Sequence, residues 1–164
     1  MNLLELPFIA AMRRNHALEH ATIHILTQRY PHLHFVGRTT SRGFHIYGAV
    51  ETEAVAAAAS EALARLQAGE RELALHPRCG TNLAVAGVLA GISSFIAMGR
   101  KPRLSKLPRV ILAATAALVA AQPLGMMVQE FVTTSSQLAD VKIEGVTRQA
   151  MGNMVVHKVE VGKG

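Results

Sequence analysis

One cysteine, Cys79, in 164 residues excludes an intrachain disulfide framework. Charge is missing from two long stretches: residues 80–99 and 110–129 contain no Asp, Glu, Lys or Arg. Each run is roughly 20 residues, about 30 Å as a helix, the thickness of a bilayer's hydrocarbon core. An ordinary surface helix is thereby excluded, and membrane spans or wholly buried core helices remain. Two core helices of that kind would need a larger surrounding shell than the rest of the chain readily supplies, so two spans are predicted.

Acid is missing from the connection between these runs. "RKPRLSKLPR" holds Arg100, Lys101, Arg103, Lys106 and Arg109 with no Asp or Glu. Short loops rich in Lys and Arg stay in the cytoplasm, next to anionic head groups. The loop accounts for much of the net charge of +6, and nucleic acid is not an expected partner. No cleavable signal is expected from "MNLLELPFIAAMRR", where the basic pair follows the apolar part and Glu5 interrupts it; it reads better as a short amphipathic or interfacial segment. A cytoplasmic loop puts both terminal parts outside without an export signal, and Arg65, Arg71 and Arg78 weaken the charge asymmetry. The side of the main domain is therefore left open. No repeat occurs, and no low-complexity segment beyond the alanines at 56–59.

What is present orders itself as helix, hairpin, helix. A first helix is predicted over residues 7–29, ending before Tyr30-Pro31 because a residue preceding proline disfavours helix. "HLHFVGR" and "GFHIYGAV" are β-branched and aromatic runs separated by "TTSRG", a hairpin with Gly43 near its turn. "ETEAVAAAASEALARLQAGE" is a second helix with Thr52 as N-cap and Gly69 as its stop. "ADVKIEGV" and "NMVVHKVEVG", after the second run, are two further strands around a Gly-containing connection.

Two spans return the chain to the side it left, so the last strands can join the first hairpin's sheet. The predicted fold class is α+β: a small α-β-β-α domain completed by a C-terminal β-hairpin and interrupted by a two-helix transmembrane hairpin. The expected parts are residues 1–79, a hairpin at 80–132, and strands at 133–164. Gly87 and Gly91 form G-x-x-x-G, which permits close helix contact with another subunit or a second copy; Pro123 and Gly125 are tolerated where neighbours satisfy the freed backbone.

The chemistry concentrates in "NHALEHAT". His16 and His20 at i and i+4 share a helix face and can ligate one metal ion, and Glu19 directly before the second histidine makes an H-x-x-E-H pattern with Glu19 as general base on metal-bound water. A solvated or capped polar face is the alternative. "HPRCGT" adds His76 and Cys79, three apart in a tight turn and both natural ligands of a borderline-soft ion such as zinc. Cys79 could instead be a nucleophile with a histidine base, or a small buried residue at a helix start. His24 continues the histidine face but lies about 12 Å along the helix from His16, so it can pair with His20 or support the site without sharing an ion with His16. His32, His34 and His45 fit the exposed face of the hairpin, and His157 a structural place in the last strand. Arg78 suits a carboxylate or phosphate, or a membrane-surface anchor.

With "HALEH" and "HPRCGT" in this order, the chain resembles the YqhQ-like bacterial membrane proteins, described as predicted metal-dependent enzymes, and more closely a smaller family of bacterial membrane proteins of this length. The likeness covers roughly residues 15–92. It implies roles for His16, Glu19, His20, His76 and Cys79, although the larger family has more spans. The leading expectation is a zinc-type, hydrolytic membrane enzyme acting on a peptide or lipid-linked substrate. The alternative is a non-catalytic accessory subunit of a membrane complex, with any metal a structural staple. A redox or metal-handling protein centred on Cys79 is weaker, since no second cysteine can resolve it.

Overall fold

The computed structural model describes residues 3–151 and 154–163. The chain divides into two compact units, one of residues 1–76 and 130–164, the other of residues 77–129.

In the first unit, α1 runs Pro7–Arg29. Proline at its first turn has no N–H to lose, and the helix stops one residue short of Tyr30-Pro31, as predicted. Strands β1 (Val36–Thr40) and β2 (Gly43–Tyr47) make an antiparallel hairpin that pairs Thr40 with Gly43. The strands are shorter than the apolar runs suggest, and Thr39 and Thr40 belong to β1 rather than to the turn. Gly43 is at φ +141 with the backbone of Val159 against it, a place no side chain can occupy. Helix α2 runs Thr52–Gln67; its N-cap is Glu51 rather than Thr52, and Gly69 at φ +100 follows the last turn as expected of a helix stop.

Strands β3 (Val141–Met151) and β4 (Met154–Lys163) form the second hairpin; residues 147–151, expected in the connection, belong to β3, while Gly152 and Asn153 lie outside the described residues. The sheet order is β1-β2-β4-β3, with β2 and β4 antiparallel, so the C-terminal hairpin completes the N-terminal one. Helices α1 and α2 pack on this sheet and on each other. Leu18, Ala21, Ile25 and Leu26 of α1, Val55, Ala59 and Leu66 of α2, and Phe44, Ile46 and Val159 of the sheet form the core. Each large apolar side chain removed from water there contributes roughly 1.5–3 kcal/mol before its entropy cost.

From Asn15 to Leu26, α1 is buried on nearly all sides, polar residues included. Those groups find partners: Asn15 Nδ2 donates to the Thr40 carbonyl at 2.9 Å and the Thr22 hydroxyl to the Leu18 carbonyl at 2.7 Å. A helix enclosed in this way can carry chemistry in the middle of a small domain.

The second unit is a helical hairpin, α3 (Gly80–Met98) and α4 (Leu107–Val128), with a short 3-10 turn at Leu104–Lys106 between them. Among the described residues, two helices are long and apolar enough to cross a membrane, at Gly80–Met98 and Leu104–Thr133. Leu83, Ile92, Phe95, Leu112 and Val119 are exposed along them, as lipid-facing side chains would be. Near the open end, Gln129 Nε2 donates to Asn82 Oδ1 at 2.7 Å and Asn82 Nδ2 to the Pro77 carbonyl at 2.8 Å, while the Asn82 side chain fills the space beside Gly125. Small residues thus serve α3–α4 packing at Gly125. Gly87 and Gly91 face open space, so that pair plays no part in the contact within the hairpin.

Candidate functional site

Three histidines of α1 are oriented by backbone carbonyls of other segments. His16 Nδ1 lies 3.0 Å from the Thr133 carbonyl, and His20 Nδ1 2.8 Å from that of Ala74. A carbonyl oxygen only accepts, so in both rings Nδ1 carries the proton and the lone pair of the neutral imidazole sits on Nε2. His24 is bound the other way round, donating from Nε2 to the Leu75 carbonyl at 2.8 Å, which leaves its lone pair on Nδ1. This is the outer hydrogen bond that fixes tautomer and ring direction in metal-ligating histidines.

The rings form a continuous row. Centroids of His16 and His20 are 4.3 Å apart, with ring nitrogens of the two within 4.8 Å of each other. His76 sits beside both His20, at 5.6 Å, and His24, at 5.1 Å in an edge-on arrangement. The structure therefore brings His76 to the histidine face of α1, where it neighbours both His20 and His24.

Glu19 points to the sheet. Its Oε2 accepts a short hydrogen bond from the Thr39 hydroxyl, and the carboxylate lies over Gly37 where any other residue would carry a Cβ. At 5 % exposure it is enclosed, as is His20 at 2 %. Thr39 and Gly37, together with the carbonyls of Ala74, Leu75 and Thr133, are the contributors that sequence reading missed. A β-branched run followed by a turn gave no signal that Thr39 would meet α1, and a backbone carbonyl has no signature in sequence.

The carbonyl-bearing segments also bound a cleft. It has a volume of about 400 Å³, and its lining includes Arg71, Glu72, Ala74, Leu75, Glu130 and Phe131. That volume falls within the range of small-molecule sites.

In the second unit Cys79 is the N-cap of α3, and its sulfur accepts from the Thr81 N–H at 3.4 Å. Away from these groups, His32 and His34 are exposed as expected. His45 departs from expectation, being half-buried with Nδ1 enclosed and unpaired. His157 is fully buried in β4 between Ile46 and Arg148, and burial, before all other causes, lowers its pKa.

An α+β unit with an imidazole row, joined to a helical hairpin apolar enough for a membrane, defines the class of protein. The chain belongs to the family described as a domain of unknown function, DUF6391, whose profile matches residues 11–146. It is 39 % identical over 147 residues to an uncharacterised protein of the cyanobacterium Picosynechococcus sp., covering 83 % of this chain and 70 % of that protein. No solved structure matches it.

Proposed function

We propose that this is a membrane-anchored protein that binds a divalent, zinc-type ion through His16 and His20, with the His76–Cys79 turn supplying further ligands, and hydrolyses a peptide or lipid-linked substrate with Glu19 as general base. The observation that carries this reading is the pair of Nδ1–H donations to the Thr133 and Ala74 carbonyls, which turns two neutral imidazoles of one helix face into Nε2 donors at close range. Cys79 enters through the chain: three residues after His76, its Cα lies within about 11 Å of that residue's. A mixed imidazole and thiolate set suits a borderline-soft ion. When bound, such an ion supplies Lewis acidity and lowers the pKa of water toward neutrality.

The 400 Å³ cleft next to the orienting carbonyls offers room for a substrate, and Arg71 a partner for its carboxylate or phosphate. The resemblance of "HALEH" and "HPRCGT" to the YqhQ-like proteins supports the same residue set. Two spans with the loop at 100–109 in the cytoplasm are part of the proposal, on the positive-inside rule.

A second reading has an observation in its favour. Glu19 is tied to Thr39 and packed on Gly37, as a structural carboxylate would be, which favours a non-catalytic accessory subunit with a structural ion. The experiment is elemental analysis of the detergent-purified full chain beside His16→Ala/His20→Ala. About one zinc or other transition ion per chain, lost in the variant, supports a metal site. A chain that carries none, and takes up none on supplementation, removes both the hydrolase and the staple. An ion with four protein ligands and no exchangeable water, by X-ray absorption, turns the choice to the second reading.

A further inference from the structure

The charge of this protein is divided with unusual sharpness between its two units. Residues 77–129 contain six cations and no Asp or Glu, while the remaining eleven Lys and Arg balance eleven acids. The whole net charge of +6 therefore belongs to the apolar hairpin, and five of the six cations lie within residues 100–109.

The structure distinguishes among those five. Lys106 is occupied: its Nζ donates to the Met98 carbonyl at 2.7 Å and to the Lys101 carbonyl at 2.8 Å, closing the C-terminal end of α3. This holds the loop in shape and leaves Arg100, Lys101, Arg103 and Arg109 exposed around its tip. Among them stands Leu104, 83 % exposed at the start of the 3-10 turn, an apolar side chain that water does not favour. Four exposed cations ringing an exposed leucine, at the closed end of two helices of bilayer length, match the boundary between phosphate head groups and acyl chains.

We infer that this tip is a docking surface for anionic phospholipid: Arg100, Lys101, Arg103 and Arg109 engage head-group phosphates of one leaflet while Leu104 enters the acyl boundary. The surface selects anionic over zwitterionic lipid, and the selection weakens with salt because it rests on exposed charges. A nucleic-acid phosphate would satisfy the cations but leave Leu104 in water, so the lipid is the better match.

The test uses the full chain in dodecyl maltoside micelles doped with equal amounts of phosphatidylglycerol and phosphatidylcholine. Retained phospholipid is identified by mass spectrometry after exchange into lipid-free detergent. The expected result is roughly tenfold enrichment of phosphatidylglycerol, reduced by added salt. Changing the four cations to Gln together should abolish the enrichment, changing the three arginines to Lys should keep it, and Arg38→Gln/Arg42→Gln in the first β-hairpin should leave it intact. Equal retention of both lipids, or enrichment that survives the Gln changes in a folded protein, overturns the inference. So does binding of a short DNA duplex as tight as that of phosphatidylglycerol and lost with the same changes.

Discussion

The carboxylate of Glu19 occupies the space over Gly37 that a side chain at that position would fill, and the hydroxyl of Thr39, two residues along the same strand, donates to it. Helix α1 and strand β1 are joined at this point through a buried acid and a glycine.

Gly37→Ala should therefore displace Glu19 or push β1 away from α1. Overpacking of this kind costs about 1–3 kcal/mol, and the lost Thr39 contact adds to it. Urea unfolding compared with Gly145→Ala, where an added Cβ meets nothing within 4 Å, checks it: a similar small loss in both would mean that Glu19 moves aside at no cost.

Glu19→Gln keeps the shape of the side chain and removes its charge. On the catalytic proposal it should retain the bound ion and reduce turnover by at least 10²-fold. Metal lost together with turnover would count against the role of base, and undiminished turnover would assign Glu19 to structure. Thr39→Val is the companion variant, removing the hydroxyl while keeping the volume.

His20→Ala removes one Nε2 donor and leaves the Ala74 carbonyl without its partner. Stability should fall by about 1–3 kcal/mol even in metal-free protein, because a buried acceptor is left unpaired. If His16 and His20 hold an ion, a chelator should lower the unfolding temperature of the wild type and leave that of His20→Ala nearly unchanged. An unresponsive wild type would speak against the ion.

His157 predicts a pH dependence. Burial lowers its folded pKa below the ordinary value of about 6.5, with Arg148 acting in the same direction and Glu51 against it. The unfolded chain then binds more protons than the folded one, so stability is full above about pH 6.5 and falls as the pH drops below that value, by at most about 1.4 kcal/mol per unit for one proton. Denaturation midpoints at pH 7.5 and 5.5 should differ less in a folded His157→Leu variant than in the wild type. Equal sensitivity in both would move the effect to other groups.

In the helical hairpin, Asn82→Leu removes the partner of Gln129 and overfills the space beside Gly125. Interhelical hydrogen bonds in membranes contribute about 0.6 kcal/mol on average and up to about 1.7. The hydrogen-bond loss is therefore small and the steric cost dominates. Asn82→Ala should be milder than Asn82→Leu in thermal unfolding in detergent, and the reverse order would show that the hydrogen bond matters more.

The sequence by itself determined the parts of this protein whose causes are local. Pro7 and Pro31 bracket α1, Gly43 and Gly69 mark a hairpin turn and a helix stop, and two uncharged runs give α3 and α4. The return of the C-terminal strands to the first hairpin was expected because an outward and a returning span bring the chain back to the side it left, and the sheet order β1-β2-β4-β3 agrees. The i, i+4 spacing of His16 and His20 put them on one face for the same reason, helical period alone.

What only the tertiary structure decided lies between residues far apart in the chain. The partners of His16 and His20 are 117 and 54 residues away, and both are carbonyls, which every residue carries and no spacing announces. Glu19 turns toward Gly37 and Thr39, and His76 settles beside His24, because of how α1 packs against the sheet and the segment at Arg71–Ala74. Sequence names the donors a site can use. Packing fixes which nitrogen carries the proton, which way each ring faces and where a carboxylate comes to rest, since those depend on distances that only the folded chain sets.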